Sequence, residues 1–199
     1  MKEVLCVVFD QFETLDLFGP VEIFGRMTDS FRCVFYSRNG GIVESSHGVP
    51  VVTKPFSDAP SSGYVLLIPG GAGTRALVGD AAFVDELARL ARGAEYVLTV
   101  CTGSILFSKT GLLDGRRATS NKRVFMWTGK ESPKVNWIKK ARWVRDGNIY
   151  TSSGVSAGMD MVLAFVADVI GYEAAKRNGD EIEYFWSEDP DHDPFADLY

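Results

Sequence analysis

The sequence predicts a doubly wound α/β fold, a mostly parallel sheet with helices on both faces, and two observations carry that expectation. Three short apolar runs, Val4 to Phe9, Tyr64 to Ile68 and Tyr96 to Val100, show no polar alternation, as strands of a parallel sheet covered on both faces do. Between and after them lie segments of helical period, and alternation of strand with helix is the pattern of an α/β sheet.

In chain order, the first apolar run is a central strand, and Gly19-Pro20 opens a helix that runs to Met27. Phe31 to Ser37 reads as a second strand; residues 42 to 57, broken by Gly48-Val49-Pro50 and Lys54-Pro55, read as hairpin pieces at an edge. After the central strand Tyr64 to Ile68, Phe83 to Ala91 sets Phe83, Leu87, Leu90 and Ala91 on one helical face. Asp146-Gly147-Asn148 turns a pair formed by Ala141 to Arg145 and Ile149 to Ser152. The last helix, Ser156 to Ile170, aligns Met159, Val162, Leu163, Val166 and Ile170. From Ser187 the chain carries Glu188, Asp189, Asp191, Asp193 and Asp197 with two prolines, which predicts a solvated extension. The expected organisation is one domain over residues 1–186 followed by an acidic tail over 187–199.

Composition narrows the function classes. A chain of 199 residues with 46% apolar and 24% charged residues suits one globular core. A formal net charge of −5, with Lys and Arg gathered no more densely than at Lys134, Lys139, Lys140, Arg142 and Arg145, argues against a nucleic-acid partner. No apolar run reaches the roughly 20 residues of a membrane span, and Met1-Lys2-Glu3 leads directly into the first strand without a secretory pattern. Three cysteines cannot all pair, and Cys6 and Cys33 sit inside strand-like runs. The expected setting is the cytoplasm.

Three loops carry chemistry. In Leu98-Thr99-Val100-Cys101-Thr102-Gly103-Ser104 a buried strand ends at a cysteine and an apolar helix follows, the layout of a nucleophile elbow. Helix N-terminal N–H groups beside such a thiol favour its thiolate. Pro69-Gly70-Gly71-Ala72-Gly73 follows the second central strand, and its N–H groups can face a ligand. An oxyanion hole formed by the N–H groups of Gly71 and Thr102 is the functional reading of that loop. The loop after the first strand carries Asp16, whose protonated carboxyl can donate a hydrogen bond and relay a proton beside a thiol; Glu22 is a secondary candidate for that task. Each feature alone has an ordinary structural explanation, and their meeting at the carboxyl edge of one sheet is what points to a site.

These residues, together with Asp16-Leu17-Phe18-Gly19-Pro20-Val21-Glu22, Gly111-Leu112-Leu113-Asp114-Gly115-Arg116-Arg117-Ala118-Thr119 and Gly154-Val155-Ser156-Ala157-Gly158-Met159-Asp160, resemble the ThiJ/PfpI superfamily over about residues 2 to 185. The resemblance implies a flavodoxin-like, amidotransferase-like fold. Within the superfamily the Cys-Thr-Gly elbow is similar to isonitrile hydratases and to the amidotransferase-like domains of certain transcription regulators, whose helix-turn-helix is not found in this sequence. The hydratase resemblance implies addition of water to R–N≡C by Cys101 as nucleophile, Asp16 as proton shuttle and Thr102 as the group orienting water or the intermediate. It implies a small-molecule substrate and neither metal nor organic cofactor. One departure is visible: Asn121 stands where that branch commonly has histidine, which puts a different polarity at the substrate wall. The two histidines, His47 and His192, read as surface residues. Another cysteine hydrolase, an amidotransferase-like or aldehyde-handling enzyme, or a non-enzymatic redox or ligand sensor in which Cys101 oxidises to a sulfinate stays open beside the hydratase. The resemblance and the aromatic first helix, with Phe18, Ile23 and Phe24, lead us to expect a homodimer.

Overall fold

The computed structural model describes residues 1–199. In chain order the elements are β1 (Lys2–Val7), α1 (Thr14–Gly25), β2 (Phe31–Ser37), β3 (Asn39–Glu44), β4 (Pro50–Pro55), β5 (Tyr64–Ile68), α2 (Thr74–Leu77), α3 (Ala81–Gly93), β6 (Ala94–Thr99), α4 (Gly103–Ser108), β7 (Arg117–Ala118), α5 (Met126–Glu131), β8 (Asn136–Trp137), β9 (Trp143–Asp146), β10 (Ile149–Ser152), α6 (Ala157–Val169) and α7 (Tyr172–Glu181). Eight strands form the central sheet in the order β3-β4-β2-β1-β5-β6-β10-β9, and β7 pairs with β8 separately. Strands β4, β2, β1, β5, β6 and β10 run parallel, and only β3 and β9 are antiparallel to their neighbours.

The three apolar runs are the middle of this sheet. Successive side chains of a strand point to opposite faces, so the complete burial of Val4 through Val8 and of Tyr64 through Ile68 requires cover on both faces. Phe165 of α6 packs on Phe24 of α1, Phe31, Tyr96 and Tyr150. Phe83 of α3 packs on Phe9 and Phe56, and Tyr64 donates to Leu90 O at 2.7 Å. The β3–β4 edge hairpin and the β9–β10 hairpin both form where the turn residues predict them.

Three expectations are corrected. The first helix begins at Thr14, and Pro20 lies inside it; a proline there removes only its own N–H as a partner for the Asp16 carbonyl. The structure therefore puts Asp16 in the first helical turn. Second, the aromatic residues of α1 are not surplus: Ile23 and Phe24 are fully buried, Phe24 meets Phe31 at 4.9 Å, and Phe18 packs on Phe12 and Phe35. They supply no argument for a dimer.

Third, the acidic tail is docked. Arg142 N donates to Pro190 O at 2.7 Å and Asp193 N to Lys140 O at 2.8 Å. The buried Asp193 carboxylate faces Lys122 Nζ and Arg142 Nη1, each at 3.7 Å, and Arg142 also holds the buried Asp160 at 2.8 Å. Lys122 further donates to Thr119 Oγ1 and Ala141 O, both at 2.7 Å. Burial draws its ammonium down to about 8, with Asp193 opposing that shift. Acidic composition marks solvation only when the acids lack buried cations to meet. Asp193→Asn is accordingly expected to cost roughly 3 kcal/mol, because it strips Lys122 of its carboxylate. Urea denaturation would show this as a lower midpoint, whereas an unchanged midpoint would mean that the tail adds nothing to the folded state.

Candidate functional site

Because β1, β5, β6 and β10 are parallel, their following loops emerge at one edge of the sheet. The β6 loop carries Cys101 with φ +57°, a left-handed conformation that costs a side-chain-bearing residue on the order of 1 kcal/mol. Its backbone is pinned against that cost. Cys101 N donates to Ser153 O at 3.1 Å, and Cys101 O accepts from the Ser104 and Ser120 hydroxyls, both at 3.0 Å. The elbow expected from sequence is formed in this way.

Asp16 is fully buried and joins the site from α1. Its Oδ2 accepts from Gly70 N at 2.9 Å, while Oδ1 is buried without a hydrogen-bond partner. Burial pushes the Asp16 carboxyl up to about 8, with Gly70 N–H opposing, Glu13 assisting and Cys101 pulling it back a little. At neutral pH it carries a proton, and since Oδ2 serves Gly70, that proton belongs on Oδ1. For Cys101, burial and then Asp16 push the thiol well above its usual range, against hydrogen bonds from Asn121, Thr102 N and Val155 N. The expected thiolate is thus corrected: desolvation outweighs the N-terminus of the short helix α4. The two neighbouring groups hold protons instead of two negative charges.

Asn121 Nδ2 donates to Cys101 Sγ at 3.0 Å, and its Oδ1 accepts from Arg123 N at 2.9 Å, which orients the amide. Val155, on the loop between β10 and α6, stands at φ +44° beside the same sulfur. Two strained residues therefore flank one atom, as is common where structure serves a site.

The oxyanion hole expected at Gly71 is not free. Gly71 N donates to Thr102 Oγ1 at 3.0 Å, and Thr74 Oγ1 approaches the same oxygen at 3.0 Å. Thr102's own proton has only Gly71 O, at 3.4 Å, a long bond that leaves the hydrogen available to a ligand. Thr102 N remains directed at Cys101 Sγ. Gly70 is required by close approach: a Cβ there would meet Thr102 N and Oγ1 at 2.6 Å and Asp16 Oδ2 at 2.9 Å. Gly71 has φ +125°.

The structure thus brings together Cys101, Asp16, Thr102, Gly70, Gly71 and Asn121. It excludes Glu22, which is exposed and paired with Arg26 at 2.8 Å. A cavity of about 440 Å³ opens onto Cys101, Thr102 and Asn121, and its lining includes Glu13, His47, Arg75, Arg123 and Val155. His47 is a surface residue as expected, its side chain 61% exposed, and it stands at this mouth, where Nδ1 is 2.8 Å from Thr14 Oγ1 and 3.6 Å from Glu13 Oε1. Its place follows from the β3–β4 hairpin folding back over the edge, where Phe12 bridges Ser45 and Gly71. No local sequence signal marks that pairing. No group of three or more His, Cys, Asp or Glu is arranged to hold a metal ion, and no helix is long and apolar enough to cross a membrane.

Residues 2–168 match the DJ-1/PfpI family. The chain belongs to that family. It is 34% identical over 198 residues to an isonitrile hydratase from Pseudomonas putida, an alignment spanning 96% of this chain and 84% of the relative. It is also 28% identical over 157 residues to the HTH-type transcriptional regulator CdhR from Pseudomonas aeruginosa, 78% of this chain but 46% of the regulator. A ThiJ/PfpI family protein from Pseudomonas syringae superposes with TM-score 0.80 at 31% identity, covering 92% of this chain and 75% of that one. Drosophila melanogaster DJ-1beta gives the same TM-score at 18% identity over 93% of this chain and 99% of its own, a likeness of fold.

Proposed function

We propose that this DJ-1/PfpI protein hydrates a small isonitrile to the N-substituted formamide, with Cys101 as nucleophile. The observation that carries the reading is the fully buried Asp16 carboxyl, its Oδ1 without a hydrogen-bond partner, near a buried thiol whose sulfur accepts a hydrogen bond from the neutral Asn121 amide. Addition to R–N≡C places both a sulfur and a hydrogen on one carbon, and this pair holds both. Asp16 Oδ1–H protonates the terminal carbon as Cys101 sulfur bonds to it, and the thiol proton passes to Asp16, leaving R–N=CH–S–Cys101. Asp16 then protonates the imine nitrogen while water adds to the carbon and returns a proton to Asp16. Breaking the C–S bond releases R–NH–CHO and restores the thiol. Thr102, whose hydrogen is loosely held, orients the water, and Asn121 holds the sulfur in place.

Incubation with cyclohexyl isocyanide, methylglyoxal and peroxide in parallel tests this. Formation of N-cyclohexylformamide is the expected result. Lactate from methylglyoxal without formamide would transfer the site to aldehyde chemistry, and oxidation of Cys101 without turnover of either compound would make it a sensor.

A homodimer in the cytoplasm belongs to the same proposal. Its support is now the β3–β4 hairpin, where the cross-strand pair Ile42 and Val52 is 70% and 78% exposed, an apolar patch of the kind that interfaces cover. Light scattering should give twice the 21.9 kDa of the chain; a mass of one chain at micromolar concentration would remove the dimer.

A further inference from the structure

The Cys101 cavity is positive at its mouth although the chain is acidic. Arg75 and Arg123 both line it, neither guanidinium has an ion pair or a side-chain hydrogen bond, and Glu13 is the only carboxylate among the lining residues. Two guanidiniums against one carboxylate stand out on a molecule of formal net charge −5, and a concave site of one sign concentrates ligands of the other.

Their placement is tied to the reacting sulfur. Arg123 leaves the segment whose Asn121 donates to Cys101 Sγ, and its N–H fixes that amide. Its guanidinium rests 6.0 Å from the centroid of Tyr199, at the end of the docked tail. Arg75 leaves α2, which continues from the loop whose Gly71 N–H binds Thr102 Oγ1. The two cations thus come from separate segments of the chain and line the same cavity as Cys101. Of the rest of the lining, Ala72, Val124 and Val155 are apolar, and Ser46 and His47 add polar groups at the mouth.

We propose that Arg75 and Arg123 bind a carboxylate on the substrate, so that the compound handled at Cys101 is a small anionic one, on the hydratase reading an isocyano carboxylic acid. A planar carboxylate matches the donor fork of arginine, and anchoring it at the mouth holds the other end of a short molecule against the sulfur. The proposal rests on Cys101 as the reacting group and deepens the hydratase reading.

The test compares iodoacetate with iodoacetamide at Cys101, followed by mass mapping of the Cys101 peptide. Each reagent alkylates the sulfur with loss of iodide and of the thiol proton to solvent, and they differ only in carboxylate against amide. The iodoacetate-to-iodoacetamide rate ratio at Cys101 should be about tenfold above that of N-acetylcysteine at the same pH. It should fall towards the free-thiol value in the double variant Arg75→Ala/Arg123→Ala and in wild type at high salt. A ratio no higher than that of the free thiol overturns the proposal, as does a high ratio that survives in the double variant. Cys101 inert to both reagents removes the reacting centre and the proposal with it. A second arm compares hydration of isocyanoacetate with that of its methyl ester: the acid should have the higher kcat/KM, and equal values overturn the anionic preference. Hydration of neither, with the alkylation ratio still high and dependent on the arginines, means that the hydratase reading has failed while the anionic site stands.

Discussion

Replacing Cys101 with serine is expected to lower isonitrile turnover by on the order of 10,000-fold, the scale on which removal of a covalent nucleophile is felt. A serine hydroxyl at that corner lacks both the polarisability and the acidity of the thiol, and no histidine touches it to compensate. The fold should persist. The bonds that hold residue 101 in its left-handed conformation, to Ser153 O and from Ser104 and Ser120, are made by its main chain, so the variant should melt within a few degrees of wild type. Formamide production followed by chromatography, with a thermal melt alongside, checks both halves. Retention of more than about a hundredth of the turnover would mean that water adds without a sulfur-bound intermediate, leaving Asp16 as the principal reacting group.

Asp16→Asn is expected to separate reactivity from turnover and to change the pH dependence of both activity and stability. Asparagine can still accept from Gly70 N–H through its oxygen, but it cannot relay a proton. Alkylation of Cys101 by iodoacetamide should stay within roughly tenfold of wild type, while hydration falls by on the order of 100-fold. In wild type, activity should decline as pH rises through about 8, where Asp16 loses its proton, and the variant should lack that limb. The stability effect has a definite sign. The folded-state value, about 8, lies above the unfolded one, so the folded state binds the extra proton between them. That contribution is complete below about pH 4 and is lost as pH rises to about 8, an upper limit on the order of 5 kcal/mol. The variant should therefore gain on wild type over this interval, by a few kcal/mol, in urea titrations at pH 5 and pH 8. If alkylation and turnover fall together, Asp16 positions the thiol instead of moving protons; if the stability gap does not widen with pH, Asp16 is ionised in the folded protein.

Much of the fold was legible because it depends on local rules. Burial on both faces of a parallel strand writes itself as an unbroken apolar run, and β1, β5 and β6 occupy the sheet centre on that basis alone. The Asp-Gly-Asn turn placed the β9–β10 hairpin, and helical period picked out α3 and α6. The misreadings came where a local rule met tertiary packing. Pro20 looked like a helix start but sits within a helix held by its buried face, and Ile170, one period beyond Val166, lies past the last turn of α6 and is half-exposed. Asp193 carried the same composition signal as its exposed neighbours, and only the buried Lys122 and Arg142 made it different.

The sequence by itself determined the sheet, the elbow at Cys101 and the meeting of Asp16, Gly70 and Thr102 near it, because strand direction dictates which loops share an edge. The state and company of those groups were decided only in three dimensions. Asp16 and Gly70 are 54 positions apart, and their hydrogen bond, like the desolvation that protonates Asp16, exists only once β1 and β5 lie side by side. The positive φ of Val155, the capture of the Gly71 N–H by Thr102, and the arrival of His47, Arg75 and Arg123 at one cavity mouth likewise depend on how separate loops pack. Residue type fixes what a group can do, but proton affinity and access follow from the atoms that fold around it, and those lie far away along the chain.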